Sequence, residues 1–219
     1  MKKLLILITI LVSGNSLLAQ NVKFGIKTGL NFPSLQSTSP FSPEGDYKIS
    51  AKFLLGTYSE IKLGKYTLQP GITFSVKGNK AVQENNTISF GYPVPYTTER
   101  NVNLSYIEIP INLLYNHPVK IGTLYAGAGP YAAFAVGGRI RSIDRRSTYL
   151  KDASVQKVEF GDKPGELKNA DYGANALAGL KLKSGIDIGA NFGLGLLNLN
   201  NTDSKARNCV ATFTVAYLF

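Results

Sequence analysis

Side chains in this chain alternate between apolar and polar or small over long stretches, and no segment keeps a helical spacing. In "VKFGIKTGLNF", Val22, Phe24, Ile26, Leu30 and Phe32 share one parity, and Lys23, Gly25, Lys27, Gly29 and Asn31 the other. "YTLQPGITFSVK", "SYIEIPINLLY" and "IDIGANFGLGL" repeat the pattern. A period of two is the signature of a strand with two unlike faces. Reading the rest in the same way gives eight candidate strands, at 22–32, 49–63, 66–77, 102–116, 119–136, 172–182, 185–198 and 208–219.

These strands are long. Strands of soluble proteins run roughly 5 to 6 residues, whereas a tilted strand that crosses a bilayer needs about 9 to 11. The connections fall into two classes. "GK" at 64–65, "HP" at 117–118 and "SG" at 184–185 read as tight turns, and the alternate links at 33–48, 78–101, 137–171 and 199–207 are long and polar. Short and long links that alternate around an even number of antiparallel strands predict an all-β, eight-stranded, up-and-down transmembrane barrel, with periplasmic turns and extracellular loops. Pro70 and Pro110 fall inside strands, where each removes a ladder donor, and each predicts a bulge or bend. The strand glycines predict a narrow lumen in which small residues make room for large ones.

The first residues, "MKKLLILITILVSGNSLLAQ", set two lysines before an apolar run too short to span a bilayer, followed by small residues. This pattern predicts a signal peptide at 1–19 cut after Ala19, with the barrel domain at 20–219 and both mature termini in the periplasm. The net charge of +10 then becomes +8, since Lys2 and Lys3 leave with the leader. An exported destination points that charge to anionic lipid headgroups or acidic surface polymers rather than to nucleic acid. Cys209 is the sole cysteine, so no intrachain disulfide braces the fold.

The polar parity turns Lys23, Lys27, Lys52, Glu60, Lys62, Lys77, Glu108, Lys181 and Asp187 inward. Unpaired charges there would cost several kcal/mol each, so the expected arrangement is a network in which Glu60, Glu108 and Asp187 are shared among Lys27, Lys52, Lys62 and Lys181. The opposite parity carries Phe24, Phe32, Tyr66, Tyr115, Phe213, Tyr217 and Phe219 outward, as aromatic girdles require. Trp is absent, so Tyr and Phe form the girdle.

The stretches "FGIKTGLNF", "LQPGITFSVKG", "LSYIEIPINLLY", "YAGAGPYAAF" and "LGLLNLN", together with the aromatic C-terminus, resemble the PorT-type outer-membrane β-barrel proteins of Gram-negative bacteria. The resemblance covers essentially the whole chain after the leader. It implies a barrel in the cell outer membrane and association with a secretion machinery for the name-giving member. It supplies no catalytic motif. Phe213, Tyr217 and Phe219 also resemble the C-terminal signal that barrel-assembly machinery reads during biogenesis.

Enzymatic readings find little to stand on. The only histidine, His117, falls in an expected tight turn beside Pro118, away from where a nucleophile would need a base. Cys209 reads as a small hydrophobe. No His, Cys and carboxylate spacing suggests a metal site or calcium loop, and no cofactor is implied. Beyond the fifth strand, "GGRIRSIDRRSTYLK" groups Arg139, Arg141, Arg145 and Arg146, with Lys77, Lys80, Arg100, Lys205 and Arg207 at comparable heights. Arginine forks bind phosphate bidentately, which points to lipopolysaccharide phosphate. "STYLKDASVQKVEFGDK" alternates weakly, and the loop that holds it is expected to fold over the mouth or to extend as a hairpin with an edge open to an envelope protein partner. The expected function is a non-enzymatic barrel with a structural, adhesion or partner-assembly role through its loops and outer wall. The rivals are a narrow channel and a soluble lipocalin-like barrel whose apolar face binds a ligand.

Overall fold

The computed structural model describes residues 22–37, 46–89, 92–145, 151–201 and 206–219. The expected signal peptide and cleavage point lie outside them, as do Arg146 and Lys205. Every helix or strand among the described residues is a strand: β1 (Val22–Ser37), β2 (Asp46–Lys48), β3 (Lys52–Leu63), β4 (Tyr66–Lys77), β5 (Lys80–Ser89), β6 (Tyr92–Val119), β7 (Gly122–Arg145), β8 (Lys151–Lys157), β9 (Ala170–Leu182), β10 (Ile186–Gly195) and β11 (Ala206–Leu218). Eight of these, β1, β3, β4, β6, β7, β9, β10 and β11, pair in that order and all antiparallel. β11 then pairs back onto β1, from Gly25 opposite Leu218 to Ser37 opposite Ala206, and closes the ring. A closed ring leaves no edge in the barrel wall.

The two parities separate as the alternation predicts. Phe24, Ile26 and Leu30 of β1, Ile188 and Phe192 of β10, and Phe213, Val215 and Tyr217 of β11 stand exposed on the outer wall. A soluble monomer rarely exposes a contiguous apolar patch above a few hundred Å², so a wall of this kind needs lipid around it. Inside, tyrosines lie over glycines. A Cβ on Gly25 would meet the Tyr58 ring, one on Gly179 the Tyr125 ring, and one on Gly173 the Tyr131 ring. Small residues thus give the bore its width where large ones cross it.

Three short turns lie together at one end of the ring. They are 64–65, 120–121 and 183–185, with Gly64 (φ 67°) and Gly185 (φ 90°) in left-handed conformations that other residues adopt at a cost. Phe219 joins the same rim, its N–H donating to the Phe24 carbonyl, so the last residue and the start of β1 lie together. The expected turn at His117-Pro118 is corrected: His117 pairs with Leu124 and Pro118 with Thr123, and the turn comes at 120–121. The strand runs on because a two-residue link suffices to reverse an antiparallel pair.

Of the bulge or bend expected at each proline, the bulge is absent. Pro70 faces Ile111 and Pro110 faces Tyr131, and the register is the same on either side of each gap in the ladder. The bulge falls instead where Ser105 pairs with Gly137 and Tyr106 with Ala135, leaving Val136 as the extra residue of β7. Strand interruption at proline needs only a missing N–H, whereas a bulge needs an extra residue on one strand.

At the loop end the stretches read as polar links fold largely as strands. β6 and β7 continue past the bulge as a paired hairpin, β5 adds to β6, β2 adds to β5 through three pairs, and β8 adds to β7. An open sheet of β2, β5, β6, β7 and β8 therefore stands beyond the ring.

Candidate functional site

From the loop end to the turn end the lumen is filled in layers. The first is an apolar cap. Leu104, Tyr106, Tyr131, Ala133 and Val158 form a buried cluster, with Val102, Ala135, Ile140, Phe160 and Leu167 packed against it. Val158, Phe160 and Leu167 belong to the segment between β8 and β9, which turns back over the mouth. It is tied there by Leu167 N–H to Glu159 O, Lys168 N–H to Leu199 O and Asn201 Nδ2 to Gly161 O (2.7 Å). Both expectations for this loop are thus realised in different parts of it.

Beneath the cap lies a charge cluster. Lys77 Nζ sits 2.8 Å from Glu108 Oε2 and 3.7 Å from Asp171 Oδ2, over the rings of Tyr131 (4.6 Å) and Tyr106 (5.4 Å). Asp171 is fully buried and also accepts from Asn208 Nδ2 (2.8 Å) and the Tyr131 hydroxyl (3.3 Å). Beside it, Asn31 donates to Ser75 Oγ and the Val76 carbonyl and accepts from Thr212 Oγ1, all at 2.9 Å. Lys77 therefore belongs to the interior and not to a basic rim at the loop end.

Nearer the turn end, Lys181 pairs with Glu60, which also accepts from Gln69 Nε2 (3.1 Å). Tyr125 donates to Asp187 Oδ1 (2.9 Å), and Lys181 lies 4.8 Å from the centre of the Tyr125 ring. Between the two clusters is a cavity of about 70 Å³ lined by Lys27, Glu108 and Asp187 together with Tyr58, Thr73, Asn112 and Asn191. It is polar and has room for several waters. Within the lumen the cations Lys27, Lys77 and Lys181 lie among the four anions Glu60, Glu108, Asp171 and Asp187.

Among the residues expected to form the network, the structure brings Glu60 to Lys181 and sets Lys27 in one cavity with Glu108 and Asp187. It does not bring Lys52 to a carboxylate, since its Nζ bonds Asn101 Oδ1 at 2.7 Å near the loop end. Lys62 is exposed at the turn end, outside the network. Asp171 escaped the sequence reading because the strand was begun two residues too late, at 172 instead of Ala170. Its parity with Asn175 and Lys181 is the signal that would have found it.

The turn end opens into a basin of about 700 Å³ lined by Lys23, Lys62, Lys65, Lys181 and Lys183, with Glu60 its one carboxylate among the described residues. Outside the basin the girdle residues meet edge to face, Tyr66 with Tyr115 (5.8 Å) and Tyr217 with Phe219 (5.2 Å). Phe213 stands further up the wall against Phe32 (6.0 Å).

At the loop end, Arg139, Arg141 and Arg145 share one parity of the β7 extension, opposite Asn103, Asn101 and Thr97 on β6. Arg139 and Arg141 are exposed, and Arg145 lies 3.8 Å from Glu99, which also holds Lys80 at 2.7 Å. The β8 strand presents Asp152 to Lys157 to solvent, and its only strand partner among the described residues is β7. His117 is exposed near the turn end, and the described residues hold no group of three or more His, Cys, Asp or Glu placed to bind a metal.

A family model described as "Outer membrane protein beta-barrel domain" matches residues 18–201, most of the chain. Three solved structures with similar chain traces are Ail, the attachment invasion locus protein of Yersinia pestis (12% identity, 91% of this chain and 99% of that chain, TM-score 0.43), Neisserial surface protein A (10%, 90% and 97%, 0.43) and the outer membrane channel DcaP of Acinetobacter baumannii (7%, 91% and 96%, 0.28). No curated protein matches the sequence.

Proposed function

Since this chain belongs to the outer membrane protein β-barrel domain family, we propose that it is a non-enzymatic outer-membrane barrel that works by docking at its two ends and conducts nothing through its lumen. The observation that carries this reading is the filled interior: an apolar cap and two ion-pair clusters occupy the bore, with a cavity of about 70 Å³ between the clusters. The short-turn end, with Val22 and Phe219, faces the periplasm, and the extension of β5 to β8 faces outward, as short turns and long loops divide in such barrels. Residues 1–19 direct export, and the outward aromatic set Phe213, Tyr217 and Phe219 engages the barrel-assembly machinery. Within the family the chain is PorT-type, on the strand motifs quoted above.

Two contacts of the outer extension are proposed. The outer edge of β8 takes up an extended segment of an envelope protein, because its backbone groups on that side have no strand opposite them among the described residues. In affinity purification from native membranes in mild detergent, the parent chain retains such a partner, and an Ala153→Pro/Val155→Pro variant, which cannot offer a regular edge, loses it. Equal recovery from both contradicts the edge as the contact. The second contact is lipopolysaccharide phosphate, gripped by Arg139, Arg141 and Arg145 with Lys157 beside them on β8. Replacing the three arginines by serine lowers the lipopolysaccharide that co-purifies, and unchanged lipid content rules this contact out.

A further inference from the structure

The basin at the turn end has a charge that the rest of the molecule does not neutralise. Lys181 is held by Glu60, but Lys23, Lys62, Lys65 and Lys183 converge on the same concavity, all exposed. The described short turns carry no Asp or Glu, and Lys120 adds a further positive charge to the rim. Deeper in the lumen Lys27, Lys77 and Lys181 are matched by Glu60, Glu108, Asp171 and Asp187, so no positive excess continues inward from this mouth. We propose that the basin is a docking site for an acidic segment of a periplasmic protein, inserted end-on along the barrel axis. The inference rests on the orientation proposed above, with the short turns in the periplasm.

The geometry selects this occupant. The basin opens from the ring of strands with Tyr115 at its rim, whereas Tyr66, Tyr217 and Phe219 stand on the outside of the wall. Lipid headgroups therefore sit beside the wall and not within the mouth. An eight-stranded bore is just wide enough for side chains or one small ligand, and this one is closed from within by the Glu60–Lys181 pair and the tyrosines. A single extended peptide end can enter it, and a cross-linked polymer mesh cannot. The lining suits a peptide, since Tyr115, Pro118, Leu182 and Leu218 supply apolar contact between the lysines. Lysine ammonium groups act as mobile point charges, so the site reads the number of carboxylates more than their exact placement. Focusing by a low-dielectric wall strengthens that attraction and makes it fall steeply with salt.

The test uses the purified full chain in detergent micelles and a fluorescein-labelled hexaglutamate peptide, followed by anisotropy. Saturable binding is expected that weakens with salt. Replacing Lys23, Lys62, Lys65 and Lys183 together by serine reduces the affinity by about tenfold or more, since each charge pair contributes of order a few tenths to one kcal/mol at such exposure. All four side chains are exposed, so the variant keeps its fold, which its heat-dependent gel mobility checks. The Arg139→Ser/Arg141→Ser/Arg145→Ser variant binds as the parent does. Absence of saturable binding, an equal loss in the arginine variant, or tighter binding of soluble peptidoglycan fragments than of the peptide overturns the proposal. Orientation is read separately by labelling Lys65→Cys, in a Cys209→Ser background, with an impermeant maleimide. Labelling only after permeabilisation supports the periplasmic site. Labelling of intact cells overturns the orientation and the periplasmic partner with it, even if the peptide binds.

Discussion

Replacing Lys77 by alanine destabilises the barrel by about 3–5 kcal/mol, the cost of stranding buried charges. The side chain is 4% exposed and lies between Glu108 and Asp171, whose side chains are 13% and 0% exposed. Without the ammonium, two carboxylates face each other across a compartment closed by Tyr106 and Tyr131. The loss is read from the urea dependence of the gel mobility shift between folded and unfolded forms. Neutralising the whole cluster, as Lys77→Met/Glu108→Gln/Asp171→Asn, recovers a large part of the stability, since a buried ion-pair cluster and a neutral one of similar volume are close in energy. A Lys77→Ala variant within about 0.5 kcal/mol of the parent, as for an ordinary surface substitution, contradicts the buried cluster.

Phe192→Arg is expected to be nearly as costly, but for the opposite reason. Phe192 stands on the outer wall, 51% exposed, opposite Ala176 on β9 and Ala211 on β11. An arginine on the lipid face costs about 2–4 kcal/mol near the bilayer midplane and less towards the interfaces. Val155→Arg, on the solvated β8 strand, serves as the control and stays within about 0.5 kcal/mol. Folding yields into phosphatidylcholine vesicles compare the two. The pair separates a membrane wall from a soluble barrel, because a water-facing wall would accept arginine equally well at both positions.

The membrane-level strands were legible because one of their faces meets lipid and the other a polar lumen. β4 begins and ends where the alternation of Tyr66–Lys77 does. The same alternation turned Lys27, Glu60, Glu108, Lys181 and Asp187 inward without any knowledge of pairing. Beyond the bilayer that contrast disappears. β5 and the outer parts of β6 and β7 have water rather than lipid beside them, so a segment such as "YPVPYTTERN" reads as polar loop while it forms a ladder with β5. Its hydrogen bonds come from the register of the neighbouring strand, and side-chain period carries no record of them. The same limit applies to the lumen. Parity says that Lys77 points inward, but only the stagger of β4 against β6 sets it beside Glu108. The bulge at Val136 shifts register without any proline to announce it. The arginine set was legible as a cluster, and the edge beside it was legible as a weak alternation. The basin was not, because its lysines come from β1, from β3 and the turn after it, and from the turn after β9, and only closure of the ring brings them together.

Function at the two ends, as proposed, requires a lumen that does not conduct. The most direct measurement is planar-bilayer recording of the purified full chain at both voltage polarities. The layered interior predicts traces that stay at the lipid baseline with no steady steps. A reproducible ohmic conductance per inserted molecule would contradict it and return the barrel to the class of channels.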